Sequence, residues 1–360
     1  MLKKRIFHLF NAFQVGGVER QHMLLLERLI DDFDHICWSY NHGPIEAELD
    51  MLGVPHCAGN VTVLKRMLDN TFYDCILVRT NRFLHETVPL LKNTKVPIVY
   101  FRNYLRWFEG NRTYFDKKLE TLAISMADHC LFSGPMLRTP VLQAGIYPPG
   151  GELLYNGIDC SRLPLSPKRR NIAQAVRVGI LGNIVRHKNQ VDAVLALKES
   201  MLQGRIVMQL GGAEQDAGYA AELRAVAENL PVKFYGYVAD PIAFMNEIDI
   251  LLVSSTAEGW PNVIMEAFAS GLPVVAPDIG DVREEFGPAP PGFLFERGRF
   301  EEIPDLIMAA AGEETYKKLS RLAVERARKF DIGQQASKLS KVICQTIARV
   351  SPRLRGGLKR

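Results

Sequence analysis

The sequence is poor in cysteine: six, at positions 37, 57, 75, 130, 160 and 344, with no CxxC pair or other tight ligand spacing. That excludes a zinc module and leaves buried, reduced thiols in a reducing compartment as the expectation. No run reaches the roughly 18 apolar residues of a spanning helix. The start, MLKKRIFHLF, has too short an apolar stretch for a secretory leader, so a cytoplasmic location is expected. No repeat, low-complexity tract or nucleic-acid-reading motif is present, which leaves nucleic acid out as a partner. Acid is missing from the last twelve residues, which hold Arg349, Arg353, Arg355, Lys359 and Arg360; without those five charges the net +4 becomes −1. Such a tail suits a solvated end more than it suits a peripheral contact with an anionic membrane surface, the second reading.

What is present is ordinary in amount: hydrophobic residues make up 47% and charged residues 23% of 360, enough for two domains with cores of their own. Short β-rich runs alternate with helical patterns, as in parallel βα folds. Strands are read in RIFHLF, HICWSY, DCILVR, PIVYF and HCLFS, with VERQHMLLLERLI a helix among them. A polar stretch with two prolines, CSRLPLSPKRRNIAQA, reads as a linker, after which the pattern restarts with RVGILG, RIVMQLGG, VKFYGYV, DILLVSS and LPVVAPD. The fold class is therefore α/β, two Rossmann-like doubly wound parallel-sheet domains facing across a cleft, with C-terminal helices. The expected boundaries are 1–165, 166–350 and a basic tail at 351–360.

The chemistry-bearing residues cluster at strand ends. Gly16 and Gly17, between the first strand and first helix, suit the approach of an anion to a helix start. In GILGNIVRHKNQ the turn at Gly182 and Asn183 is followed by Arg186, His187 and Lys188. A lysine opposes the dipole of a helix start, a cost that favours a functional reading, and its compact ammonium neutralises a diphosphate without a fixed angle. The stretch EGWPNVIMEAFASGLP predicts a short helix over 263–270, capped by Asn262 and stopped by Gly271, apolar nearly all round except Glu266. A carboxylate in such company needs donors, and the vicinal hydroxyls of a ribose supply two. Glu258, at the end of DILLVSS, is placed to hold the hydroxyls of a sugar. His8 and His22 read as a strand residue and a helix-face residue. The DFD at 32–34 sits at a helix end rather than as a metal-binding DxD.

These residues resemble glycosyltransferase family 4, retaining GT-B enzymes that use nucleotide sugars. EGWPNVIME looks like the family's E-x7-E signature, EAFASGLPVVAPDIG continues it, and GGVE, YNGID, GNIVRHK and VKFYGYV follow in the family's order. The resemblance implies that Glu266 binds the ribose, Glu258 the transferred sugar, and Lys188 the leaving diphosphate, with Gly17 across the cleft. It further implies that backbone N–H groups from Gly259 to Val263, Asn262 among them, hold sugar and phosphates, and that Tyr237 and Val238 line the base. Two departures stand out: Asn183 replaces the family's arginine, for which Arg186 is the substitute, and Arg102 and Asn103 stand where a histidine usually meets the sugar. The implied partners are a nucleotide diphosphosugar and a glycan or lipid-linked acceptor, with neither cofactor nor metal. A GT-B epimerase and a non-catalytic sugar-nucleotide or glycan-binding protein fit the same residues.

Overall fold

A computed structural model describes residues 3–79, 84–92, 94–103, 114–163, 165–168, 171 and 173–356. The chain divides into two compact units, Met1–Gly157 with Ile332–Arg360, and Ile158–Asp331.

In the first unit β1 (Lys4–Leu9), β2 (Phe33–Ser39), β3 (His56–Ala58), β4 (Cys75–Val78), β5 (Ile98–Arg102), β6 (His129–Phe132) and β7 (Gly150–Leu153) form one sheet. Their order is β3-β2-β1-β4-β5-β6-β7, and every pairing is parallel. The strand period of two is strict. Ile6, Leu77, Val99 and Phe101 enter one core, while Phe7, Ile76, Val78 and Tyr100 enter the other. The five strands read from the sequence are all present. The short edge strands β3 and β7 lack an apolar run that would announce them.

The second unit repeats the plan with β8 (Val176–Leu181), β9 (Ile206–Gly211), β10 (Val232–Gly236), β11 (Ile250–Leu252), β12 (Val274–Pro277) and β13 (Gly292–Phe295). The order is β10-β9-β8-β11-β12-β13, again parallel throughout. Each sheet reverses its strand order beside its first strand, β1 or β8, and the carboxyl ends there are where such sheets place ligands.

The division of the chain differs from the expected one in two respects. The polar stretch after Asp159 belongs to the second unit rather than spanning free: Lys168 donates its N–H to Ser320 Oγ at 2.6 Å and its Nζ to Met245 O at 2.5 Å. The last helix, Ile332–Gly356, belongs to the first unit. Its stripe of Ile332, Ala336, Leu339, Val342, Ile343 and Ile347 packs with Ile6, Leu77, Val99 and Phe101 of the first sheet. Residues 351–356 continue that helix, and the Arg349 guanidinium donates to Asp128 O, so the tail is not a separate basic end from 349 onward. No helix among the described residues is long and apolar enough to cross a membrane.

Candidate functional site

At the carboxyl end of β8 the chain makes a tight turn, Arg186–Lys188, closed by Asn189 in the left-handed region. This turn is stitched to the loop after β11. Thr256 N–H donates to His187 O at 2.8 Å, and Ser254 Oγ to Lys188 O at 2.7 Å. The stitching brings together side chains 70 positions apart: Lys188 Nζ lies 2.5 Å from Glu258 Oε1, which also accepts from Ser255 Oγ at 2.6 Å. The Lys188 stem lies over Gly182, where an added Cβ would stand 3.7 Å from Lys188 Cε.

The loop holding Glu258 is pinned from its other side. Asp281 N–H donates to Gly259 O at 3.1 Å. Gly280 packs so closely that a Cβ there would sit 1.9 Å from Glu258 O, at φ +55°. The next helix, Asn262–Ala269, starts after Pro261 with no side-chain cap. Asn262 is thus its first residue, not the expected cap. It ends as foreseen: Gly271 at φ +68° donates to Phe268 O at 3.0 Å, and Leu272 to Ala267 O at 2.9 Å, a Schellman pattern.

Four residues into this helix stands Glu266. Its neighbours Ile264, Met265, Ala267 and Phe268 are buried, yet Glu266 itself is only half-buried. Burial still pushes its carboxyl up to about 7. A group enclosed by protein but open to solvent lies in a concavity, and no hydrogen bond or ion pair to this carboxyl occurs among the described residues. Such a carboxyl is poised to accept from a ligand.

Other expected residues fall into place unevenly. Gly182 N–H donates to Gly211 O at 2.9 Å and Gly212 N–H to Gly236 O at 2.7 Å, so the ends of β8, β9 and β10 adjoin. Tyr237, 63% exposed, follows directly, and Val238 Cγ2 lies 2.8 Å from where a Gly211 Cβ would stand. Asn183 is exposed, and its carbonyl accepts from Gln190 Nε2 at 3.0 Å. Arg186 turns to the neighbouring helix instead, 3.3 Å from Glu222 and over the Tyr219 ring at 5.3 Å. Nothing in that geometry makes it a substitute for a charge at Asn183.

In the first unit, Gly16 and Gly17 open the helix Gly17–Leu29 without a side-chain cap. The Glu19 carboxyl folds back toward this start, 2.5 Å from where a Gly16 Cβ would be. Arg102 is a correction to the expectation of a sugar-side residue. Its side chain is 2% exposed, paired with Glu120 at 2.6 Å and bonded to Leu137 O at 2.7 Å, and so serves the packing of β5. Asn103 is half-buried and donates to Phe101 O at 3.3 Å, while the aromatic-basic stretch beyond it, at 104–113, lies outside the described residues.

His8 and His22 are more than face residues. Leu29 O fixes the proton of His35 on Nε2 (3.1 Å), so His35 Nδ1 accepts from His8 Nε2 (2.8 Å) and His8 Nδ1 from His22 Nε2 (2.8 Å). Burial holds all three rings below their usual range.

Residues 167–330 match the family described as glycosyl transferases group 1. The chain is 19% identical over 361 residues to the capsular polysaccharide biosynthesis glycosyltransferase CapH of Staphylococcus aureus, covering 94% of this chain and 98% of that protein. It is 29% identical over 191 residues to a GDP-mannose-dependent alpha-mannosyltransferase of Mycobacterium tuberculosis, 51% of this chain and 48% of that one. The solved structure of Anabaena Alr3699/HepE in complex with UDP and glucose superposes with a TM-score of 0.82 at 20% identity, over 95% of this chain and 100% of that one. The fold is GT-B.

Proposed function

We propose that this chain, a glycosyltransferase by the group 1 domain at residues 167–330, moves a sugar from a nucleotide diphosphosugar to an acceptor hydroxyl with retention at the anomeric carbon. The observation that carries the reading is Glu266: an enclosed yet solvent-open carboxyl without a partner among the described residues, on the helix that follows the loop of the Lys188–Glu258 pair. Ribose hydroxyls give Glu266 the donors it lacks. Lys188 turns to the diphosphate, whose growing charge it stabilises as the glycosidic bond breaks. Glu258 orients the sugar hydroxyls. The leaving phosphate oxygen takes the acceptor's proton while the new C–O bond forms on the face it vacates, so no protein nucleophile and no metal is required. Likeness to CapH supports bacterial surface polysaccharide or glycolipid assembly as the setting.

The test is calorimetric titration of UDP and GDP into wild type and three variants, with and without chelator, followed by transfer rates at saturating donor. Glu266→Ala and Lys188→Ala each weaken nucleotide binding; for Glu266→Ala the loss is roughly 1.5–3 kcal/mol, a charged hydrogen-bond partner. Glu258→Ala keeps nucleotide affinity and loses turnover. Intact nucleotide binding in Glu266→Ala alongside its loss in Glu258→Ala reverses the roles, and an absolute demand for a divalent ion removes the mechanism.

A further inference from the structure

The mechanism above leaves one buried acid unused. Glu285, in the short helix Val282–Phe286, is fully buried, and neither of its carboxyl oxygens has a hydrogen-bond partner among the described residues. Its helix is tied to the Glu258 loop: Glu285 N–H donates to Asp281 O at 2.9 Å, and Asp281 N–H to Gly259 O at 3.1 Å. Among the described residues, Glu258 and Asp281 act against its ionisation and Arg326 for it. Arg326 is turned to the backbone, Nε to Glu285 O at 2.8 Å and Nη2 to Glu284 O. The Met265 N–H favours the charge without completing a hydrogen bond to either oxygen. An ionised carboxylate without donors in the interior is too costly to persist, so the group is held as the acid. Burial, with the Glu258 charge beside it, lifts its ionisation well above the usual carboxylate range.

We propose that Glu285 is a positioning residue for the donor site, a neutral acid that allows Lys188 to leave Glu258 for the diphosphate. The inference rests on the donor reading given above. At rest Lys188 Nζ is 2.5 Å from Glu258. When Lys188 turns to a ligand, Glu258 keeps, among the described residues, the Ser255 hydroxyl at 2.6 Å. A second negative charge at Glu285 would attract Lys188 back, and would leave two uncompensated carboxylates once it had moved. With Glu285 neutral, one charge is left and the exchange of partners is affordable.

The full chain is titrated with UDP above about pH 8, where Glu266 is already ionised, in buffers of different ionisation enthalpy, as wild type and as Glu285→Gln. Wild-type affinity falls with rising pH by up to about tenfold per unit, the slope of one linked proton, and binding in that range takes up a proton. Glu285→Gln stays flat over the same range and takes up none. Glu285→Met, apolar and unbranched, repeats the comparison should the amide not fold. Superimposable profiles for wild type and variant, or wild-type binding without proton uptake, overturn the proposal. Lys188→Ala separates the two readings. If it leaves UDP affinity unchanged, the donor site itself is wrong; if it weakens UDP while the profiles coincide, only the role of Glu285 falls.

Discussion

A single residue, Glu266, sets stability against binding. Its carboxyl ionises at about 7 in the folded chain because of burial, against 4.5 for an ordinary glutamate. Below the lower value it is neutral both folded and unfolded. Between the two, the folded chain holds a proton the unfolded chain has lost, so stability falls as pH rises through this window and stays lowered above it. Glu266→Gln therefore melts higher than wild type at about pH 8 and close to it at about pH 4.5, as scanning calorimetry reads directly. Binding runs the other way. In the proposed donor site ribose hydroxyls donate to the ionised form, so wild-type affinity for UDP should climb between about pH 6 and pH 8 with release of a proton, and Glu266→Gln should lose both affinity and slope. An affinity independent of pH in wild type would falsify the pairing of Glu266 with donor hydroxyls.

At the scale of elements, the loop from Glu258 to Trp260 is pinned on one side by backbone contacts. Gly280 is the close neighbour, in a left-handed conformation that costs other residues about 1–2 kcal/mol, with Glu258 O 1.9 Å from where its Cβ would stand. Gly280→Ala must push that loop, and displacing an orienting group by an ångström costs up to about 100-fold in rate. Steady-state kinetics at saturating donor should fall steeply in this variant, while UDP affinity, which the proposed donor site assigns to Glu266, changes less; unaltered turnover refutes the pinning. The helix beside the loop was legible in the sequence to within a residue, because an apolar run ending in Gly271 has few other solutions, and Glu266 was legible as the one charge inside it. The Lys188–Glu258 contact was not, since 70 positions separate its partners and only the stitching of two turns joins them. Arg102 misled for the same reason: its partner Glu120 is 18 positions away, invisible to any local pattern. Glu285 reads in DVREEF as one more surface acid, because a helix of five residues is too short to show a buried face.

For the molecule as a whole, the chain leaves its first unit at Gly157, builds the second without interruption, and returns at Ile332. Periodicity reveals that the last helix has an apolar stripe but not which sheet receives it, and so the expected boundary at 350 failed. The consequence is an asymmetry between fragments. Residues 158–331 contain a complete core, with Val178, Leu210, Ile250 and Val275 at its centre, and also Lys188, Glu258 and Glu266. That fragment should unfold cooperatively and bind UDP within about tenfold of the full chain, a difference of about 1.4 kcal/mol. Residues 1–157 alone leave Ile6, Leu77, Val99 and Phe101 without the helix that covers them. Of that helix's stripe, Ile332, Leu339, Val342, Ile343 and Ile347 are large side chains whose burial contributes about 1.5–3 kcal/mol each, comparable with the whole stability of a typical domain at about 5–15 kcal/mol. The first fragment should therefore be unfolded or aggregated by circular dichroism and light scattering, and should gain structure when a peptide of residues 332–356 is added in excess. A stable, monomeric 1–157 would mean the helix is dispensable to the unit it packs on. A folded 158–331 that does not bind UDP would mean the three proposed donor-site residues are insufficient without the first unit.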